Sequence, residues 1–262
     1  MQAVLIDLDG VIYDSKSQIP GATDTINWLD KSSIPYLFVT NTCSKPRQAI
    51  VDKLSAMQIK VCQDKILTPI VVARQWLCEN NVEPIALFLE PATMNEFSKF
   101  QVVGQSAESG AGAVLIGDIG EAWNYHSLNR ALRLLISEPK PVLVALGMSR
   151  YWHSEHGLAL DVGPFIKALE FASGSEAIVL GKPDTSFFTT AAELLNVACS
   201  ELVMVGDDLI SDIQAAQQAG LKAALVKTGK FMAADLNAEV KPDFLINSIA
   251  DLPVLWEQIN HA

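Results

Sequence analysis

The stretch AVLIDLDG (residues 3–10) places two acidic residues directly after a run of branched apolar side chains. Residues 4–6 predict a buried β-strand, and Asp7 and Asp9 follow at its end. Because side chains two residues apart on an extended segment share a face, both carboxylates can point toward one ligand. Gly10 then lets the chain turn away sharply. The stretch therefore predicts a central strand that ends at a chemical site.

The overall composition excludes some classes of protein. The chain has 262 residues, 50% hydrophobic and 19% charged, which is enough for one large domain or two modest ones. A formal net charge of −11 argues against nucleic-acid binding, because proteins that bind nucleic acid carry a basic surplus. An anionic substrate remains compatible with this charge, since a bound metal ion reverses the local field.

Cysteine spacing and hydropathy predict a cytoplasmic protein without a membrane partner. The four cysteines show no CxxC spacing and are expected to be reduced thiols. The N-terminal stretch lacks a basic segment followed by a long apolar core, because Asp7 and Asp9 interrupt it. No apolar run reaches the roughly 18–20 residues that span a bilayer.

Short apolar runs alternate with helical patterns along the chain, which is typical of an α/β protein with a parallel sheet. The predicted strands lie in AVLIDL (3–8), PYLFVT (35–40), PIALFLE (84–90), AGAVLIGD (111–118), PVLVALG (141–147), EAIVLGKPD (176–184), ELVMVGDD (201–208), KAALVKTG (222–229) and DFLINS (243–248). The pattern starts again with a new set of elements near residue 81. The sequence therefore predicts a core of residues 1–80 and 175–262 and an inserted domain of residues 81–174.

Four of these strands end in polar groups that could form one site. The groups, in chain order, are Asp7 and Asp9; Thr40, Asn41 and Thr42; Lys182; and Asp207 and Asp208, with Asp212 one turn into the next helix. Right-handed crossovers bring the carboxyl ends of parallel strands to one edge of the sheet, where ligands bind. A single such ending is ordinarily a turn or a helix cap, whereas four in order indicate a shared site.

Phosphoryl transfer is the chemistry that this set of groups supports. A carboxylate can attack phosphorus and form an aspartyl-phosphate, while a second carboxylic acid protonates the leaving oxygen and then deprotonates water. Mg²⁺ takes hard oxygen ligands and keeps several waters, so two or three carboxylates can hold it. A lysine and a hydroxyl group can neutralise and orient the phosphoryl oxygens.

The order of the motifs resembles the haloacid dehalogenase superfamily of aspartyl-nucleophile hydrolases, subfamily IIA. The motifs are DLDGV (7–11), FVTNT (38–42), LGKPD (180–184) and VGDDLISD (205–212). This resemblance implies a Rossmann-like parallel-sheet core and identifies the insert as an α/β cap domain of the C2 type. The stretches VTNT (39–42), NRALRLL (129–135), GLALDVGPFIKALEFA (157–172) and VKTGK (226–230) are similar to the subgroup of phospholysine phosphohistidine inorganic pyrophosphate phosphatases.

The resemblance also implies catalytic and metal-binding roles. Asp7 would be the nucleophile and Asp9 the general acid/base. Mg²⁺ would be bound by the carboxylates of Asp7 and Asp207 and by the backbone carbonyl of Asp9. Lys182 would pair with the nucleophile and with the phosphoryl group. An acid at position 9 favours a phosphohydrolase, because the dehalogenases of the superfamily lack one there.

Five further residues complete the implied site. Thr40, Asn41 and Thr42 would bind the phosphoryl group of the substrate together with Lys182. Asp208 and Asp212 would be outer-shell acids that order the metal-bound waters or the lysine.

The expected function is therefore Mg²⁺-dependent hydrolysis of a small phosphorylated molecule, including a phosphoamide or pyrophosphate, through an aspartyl-phosphate. Two alternatives stay open: a phosphotransferase or mutase on the same scaffold, and a non-enzymatic binding or assembly protein. A homodimer formed through the cap is also expected. The complete set of acids with Lys182 argues against the non-enzymatic alternative.

The insert carries fewer chemical signals. His153 and His156 have a spacing that could suggest a metal pair, but Gly157 breaks any helix there. We therefore expect surface or substrate-loop histidines. Three aromatic residues are expected to pack inside the cap; they are Trp123, Tyr125 and Trp152.

Overall fold

The computed structural model describes residues 1–14, 17–154 and 157–261, and it leaves out the side chains of residues 152–154 and 261. The β-strands are β1 Ala3–Asp7, β2 Tyr13–Asp14, β3 Ser17–Gln18, β4 Tyr36–Val39, β5 Ile66–Leu67, β6 Ile85–Phe88, β7 Ala113–Ile116, β8 Val142–Ala145, β9 Tyr151–Ser154, β10 Gly157–Leu160, β11 Ala177–Val179, β12 Leu202–Gly206, β13 Lys222–Val226 and β14 Phe244–Ile246. The α-helices are α1 Ala22–Lys31, α2 Arg47–Ala56, α3 Pro69–Asn80, α4 Pro91–Met94, α5 Tyr125–Leu135, α6 Val162–Ser173, α7 Thr185–Leu195, α8 Ala215–Gln218 and α9 Leu252–His261.

The larger sheet has six strands in the order β14-β13-β12-β1-β4-β5, and every neighbouring pair is parallel. All five residues of β1 are buried, as expected for a strand that helices cover on both faces. Val4 and Ile6 pack in one apolar cluster with Ile26 of α1 and Leu255 of α9. The predicted parallel α/β core with β1 at its centre is therefore confirmed.

The smaller sheet has four parallel strands in the order β11-β8-β7-β6, and α5 and α6 bury apolar residues in its core. Trp123 stacks between Phe88 and Phe165, with ring centroids 5.7 and 5.1 Å away, so its predicted packing is confirmed. The prediction for Tyr125 is wrong, because its side chain is 85% exposed. Tyr125 precedes the buried Leu134 by nine residues, which at about 100° per residue places it on the opposite side of α5.

The chain divides into two compact units, each formed from discontinuous segments. The first unit consists of Met1–Thr40, Arg47–Leu67 and Lys182–Ala262, and the second of Asn41–Pro46 and Thr68–Gly181. The predicted insert of residues 81–174 differs from the second unit at both ends. β11 belongs to this unit because it pairs with β8. An ion pair of 3.2 Å between Arg74 of α3 and Glu96 lies within the same unit.

α5 begins at Tyr125, because the Asn124 side chain accepts hydrogen bonds from the N–H groups of His126 and Ser127 and so caps the helix. The stretch around the two histidines forms the antiparallel pair β9–β10. His156 lies outside the described residues, as do the side chains of His153 and Trp152, and their predicted roles stay predictions.

None of the helices described within residues 1–14, 17–154 and 157–261 combines the length and the apolar character needed to cross a membrane.

Candidate active site

Two carboxylates come together because two neighbouring parallel strands end side by side. Asp7 is the last residue of β1, and Asp207 directly follows β12. The two strands pair in register, with Ile6 opposite Val205. Asp7 and Asp207 therefore lie at adjacent strand ends on the carboxyl edge of the sheet, where the sequence predicts them.

Lys182 joins this pair through buried contacts. Its Nζ donates to Oδ1 of Asp7 and to Oδ1 of Asp212, each at 2.7 Å. The lysine and Asp212 side chains are only 4% and 2% exposed, so water screens these ion pairs weakly. Three residues from three separated parts of the sequence thus form one charged network.

Asp212 reaches the network because the chain after β12 forms a π-helical turn over Leu209–Gln214. Asp208 caps this turn, since its Oδ1 accepts from the N–H groups of Ile210 and Ser211 at 3.0 and 2.9 Å. The Asp212 side chain folds back over Gly206, where a Cβ would lie 2.4 Å from the Cβ of Asp212. Only glycine at position 206 leaves room for this approach. π-helical turns of this kind are frequent at functional sites.

The carboxylates of Asp7, Asp207 and Asp212 form a compact acidic cluster. One oxygen of each can be chosen so that all three lie within 4.8 Å of one another. Burial raises the pKa of Asp7 to about 8; Lys182 opposes this effect, and Asp212 and Asp207 add to it. Burial also raises the pKa of Asp207 to about 6, although the hydrogen bond from the N–H of Lys230 lowers it. The site therefore disfavours full ionisation unless a cation compensates it.

The lysine responds to the same charges in the opposite sense. Burial alone would lower the pKa of Lys182, but Asp212 and Asp7 raise it by more. The two carboxylates therefore favour the charged form of Lys182.

Gly10 leaves the space that the Asp207 carboxylate occupies. Its φ is +78°, in the left-handed region, and a Cβ there would lie 2.0 Å from Oδ2 of Asp207. No side chain can be added without displacing that carboxylate. The glycine behind the two acids is thus required by the site as well as by the turn.

Replacing Gly10 by Ala should lower the free energy of unfolding by more than the cost of placing alanine in a left-handed backbone conformation. Gly220→Ala is the matched control, because Gly220 lies in the same unit with φ +87° and its nearest neighbour is 3.9 Å from an added Cβ. We expect about 1–2 kcal/mol for the control and at least about 2 kcal/mol more for Gly10→Ala because of the clash. Urea unfolding measures both, and equal losses of stability would contradict the close approach.

The sequence predicts four further residues for the site: Thr40, Asn41, Thr42 and Asp9. Thr40 is buried, and its N–H donates to the carbonyl of Leu67 at 3.1 Å in the first unit. Asn41 and Thr42 belong to the 41–46 segment of the second unit. The side chain of Asp9 is exposed, so its carboxylate is outside the buried acidic cluster. Phosphoryl binding by residues 40–42 stays a prediction.

Cys43, within the 41–46 segment, is buried, and its Sγ accepts from the N–H of Asp118 at 3.4 Å. Burial raises the pKa of the thiol to about 11, which leaves it protonated at neutral pH. Cys43 is therefore a buried free thiol, which agrees with the expectation of reduced cysteines.

Sequence reasoning missed one contributor to the site and placed another less closely than the structure does. Asp212, expected as an outer-shell acid that orders the metal-bound waters or the lysine, directly contacts Lys182 and also supplies an oxygen to the acidic cluster. The missed contributor is Lys230. The N–H of Lys230 donates to Oδ2 of Asp207 at 2.7 Å, and Nζ of Lys230 donates to Asp208 at 3.0 Å. The Thr-Gly-Lys stretch (228–230) after β13 was the available signal for this support.

Comparisons with known families agree with the arrangement of strand ends. A model described as haloacid dehalogenase-like hydrolase matches residues 4–102, and a model described as HAD-hydrolase-like matches residues 179–252. The chain belongs to the haloacid dehalogenase-like hydrolase family. The two matched regions contain all nine residues predicted for the site, which stand between positions 7 and 42 and between positions 182 and 212.

Relatives within this family cover nearly the whole chain. The human protein named phospholysine phosphohistidine inorganic pyrophosphate phosphatase is 35% identical over 256 residues, covering 96% of this chain and 92% of that protein. The mouse haloacid dehalogenase-like hydrolase domain-containing protein 2 is 35% identical over 245 residues, covering 94% and 91%. The crystal structure of a 4-nitrophenylphosphatase from Thermotoga maritima superimposes with a TM-score of 0.86 at 26% identity and covers 96% of both chains. The chain is a phosphatase of the haloacid dehalogenase-like family.

Proposed function

We propose that this phosphatase is Mg²⁺-dependent and hydrolyses a small phosphorylated molecule through an aspartyl-phosphate on Asp7. The observation that carries the proposal is the buried contact between Lys182 and Asp7 beside Asp207 and Asp212. The contact holds one carboxylate oxygen at the end of a rigid central strand. The family membership supports the same chemistry.

The residues present fit a magnesium ion. Three carboxylates and one ammonium leave two negative charges unbalanced when all are ionised, which is the charge that one divalent cation compensates. The donors are hard oxygens, the kind Mg²⁺ prefers. We propose that the carboxylates of Asp7 and Asp207 and the backbone carbonyl of Asp9 hold the ion. Bound there, Mg²⁺ would neutralise charge on the phosphoryl oxygens and on the carboxylates.

The reaction divides into two displacements at phosphorus. In the first, a carboxylate oxygen of Asp7 forms a bond to phosphorus, the bond to the leaving group breaks, and Asp9 gives its proton to the leaving atom. In the second, Asp9 takes a proton from water, the water oxygen attacks phosphorus, and the bond to Asp7 breaks to release inorganic phosphate. The exposed carboxylate of Asp9 is accessible to solvent for this proton exchange.

Lys182 stabilises negative charge throughout the reaction. Its ammonium contacts Asp7 at 2.7 Å, and it stays charged because Asp212 and Asp7 raise its pKa. We propose that it also contacts the transferring phosphoryl group, together with Thr40, Asn41 and Thr42. Asp212 would hold the ammonium of Lys182 where it can contact both Asp7 and the phosphoryl group.

A phosphoamide or pyrophosphate is the substrate class that we propose to test first. The human relative is named for phospholysine, phosphohistidine and inorganic pyrophosphate. We propose that the second unit acts as a C2-type cap and selects among such substrates. Comparing kcat/KM for phospholysine, pyrophosphate, sugar phosphates and p-nitrophenyl phosphate ranks these classes. A sugar phosphate that exceeds the others by a wide margin would contradict this choice.

Removal of magnesium should stop turnover of p-nitrophenyl phosphate without unfolding the protein. We expect activity to fall by at least about 10²-fold in excess EDTA and to return with added Mg²⁺, because the carboxylates then repel one another and the phosphoryl charge is uncompensated. Ca²⁺ should restore less activity, since it prefers more ligands at longer distances. Full activity in EDTA would contradict the metal requirement.

Product analysis separates hydrolysis from phosphoryl transfer to an acceptor. With an acceptor sugar added, a hydrolase still releases inorganic phosphate in equal amount to the leaving group. A phosphotransferase or mutase would instead form sugar phosphate. That result would mean that the sugar, and not water, attacks phosphorus in the second displacement.

A further inference from the structure

The segment Thr228–Gly229–Lys230, which begins two residues after β13 ends at Val226, contacts both polypeptide stretches that end at the acidic cluster. We call residues 228–230 the brace. β13 is the neighbour of β12 in the sheet, so the brace emerges at the carboxyl edge beside Asp207. The reaction proposed above gives the brace no role.

The brace holds one oxygen of Asp207 through a backbone group. The N–H of Lys230 donates to Oδ2 of Asp207 at 2.7 Å. Gly229 has φ +65°, and a Cβ there would lie 2.1 Å from the same oxygen and 2.5 Å from the Cα of Gly10. Backbone alone can approach this closely, so the brace packs directly against the carboxylate and against Gly10.

The brace also fixes the turn that follows Asp9. The hydroxyl of Thr228 donates to the carbonyl of Gly10 and so holds the peptide between residues 10 and 11. The preceding peptide is held separately, because the N–H of Gly10 donates to the carbonyl of Tyr13 at 2.7 Å. In a trans peptide the carbonyl points opposite to the N–H, so this second bond sets the direction of the Asp9 carbonyl. Glycine at position 10 is otherwise free to rotate, and the two hydrogen bonds together remove that freedom.

We propose that Thr228 is a positioning residue for the metal ligands, acting through Gly10 on the carbonyl of Asp9. The inference rests on the proposed function insofar as that carbonyl and Asp207 bind Mg²⁺. The brace then supports two of the three proposed ligands: it holds the Asp207 carboxylate directly, and it supports the Asp9 carbonyl through the adjacent peptide, together with the bond from Gly10 to Tyr13. Loss of the hydroxyl leaves the ligands in place chemically but less well oriented, which lowers the affinity for the ion.

Thr228→Val tests the proposal, because valine keeps the shape of threonine and removes the hydroxyl. Calorimetric titration of the whole protein with MgCl₂ should show a dissociation constant raised by about tenfold, equivalent to about 1.4 kcal/mol. Thr228→Ser, which keeps the hydroxyl, should bind within about twofold of the wild type. At saturating Mg²⁺, KM for p-nitrophenyl phosphate should stay unchanged, since Thr228 acts on the metal ligands.

Thr189→Val is the matched control. The Thr189 hydroxyl also donates to a backbone carbonyl, that of Ser186 at 3.1 Å, on the exposed side of α7. We expect wild-type Mg²⁺ affinity for this variant. If Thr228→Val fails to fold, Thr228→Ala removes the same hydroxyl and should show the same tenfold loss.

The outcomes separate this inference from the proposed function. Unchanged Mg²⁺ affinity in Thr228→Val, or no Mg²⁺ binding by the wild type, would overturn the inference. A wild type that binds Mg²⁺ but releases no phosphate from any substrate would overturn the proposed function alone, because the calorimetric comparison does not depend on turnover.

Discussion

Replacing Asp7 by Asn is expected to abolish turnover, with kcat lowered by at least about 10⁴-fold. The amide of the asparagine cannot form an acyl phosphate. None of the other residues described at the site offers a nucleophile in the position of Asp7. The protein should stay folded, because Lys182 keeps its contact with Asp212 and one of three mutually repelling carboxylates is removed. Steady-state rates with p-nitrophenyl phosphate and thermal unfolding measure the two effects.

Asp243→Asn is the control for this result. Asp243 also pairs with a lysine, Lys222, at 2.7 Å. This pair is outside the site, and the Lys222 side chain is 50% exposed. We expect its turnover to be unchanged, and the variant shows what the loss of a lysine–carboxylate pair does outside the site. Asp7→Asn turnover within about tenfold of the wild type would exclude Asp7 as the nucleophile.

Replacing Lys182 by Met is the second substitution with a large expected effect. It leaves Asp7 and Asp212 buried without their shared cation, and breaking a buried ion pair in this way destabilises a protein by about 3–5 kcal/mol. kcat should fall by about 10²–10³-fold, because a preorganised positive charge at the reacting group is lost. Mg²⁺ should stabilise this variant against heat more than it stabilises the wild type, since the ion then compensates a larger negative charge.

Lys222→Met provides the comparison for burial. The Lys222–Asp243 contact has the same length of 2.7 Å as the Lys182–Asp7 contact, but the lysine side chain is 50% exposed in one and 4% exposed in the other. An exposed pair contributes at most about 1 kcal/mol, so little change in stability and none in turnover is expected. Equal losses in the two variants would mean that burial does not strengthen the Lys182 pair.

Much of the site could be predicted because strand ends are visible in sequence. Asp7 and Asp207 each follow a continuous apolar run, and parallel strands bring such ends to one edge. The same reasoning placed Asp212 one helical turn after its strand but could not place its carboxylate within the acidic cluster, because that position depends on a π-helical turn. Apolar spacing does not distinguish a π turn from an α turn over so few residues.

Other features depended on packing that the local pattern does not encode. Tyr125 fits a helical pattern and is aromatic, yet it starts α5 on the side away from the core. β9–β10 carries exposed apolar residues such as Leu158 and Leu160, and no alternation of polar and apolar residues marks it as an antiparallel pair of strands. The brace has a recognisable glycine, but its contact with Gly10 joins residues more than two hundred positions apart.

The order of strands in the larger sheet also has a consequence for how the protein is made. β1 leaves the ribosome well before β12, yet β12 is its partner on one side, with Ala3 opposite Leu202. Thr68–Gly181 of the second unit is synthesised in between and can fold as a domain while the chain is still growing. That side of the central strand stays unpaired until β12 has been synthesised. A nascent chain therefore carries its proposed nucleophile, Asp7, long before it acquires Lys182 and Asp207.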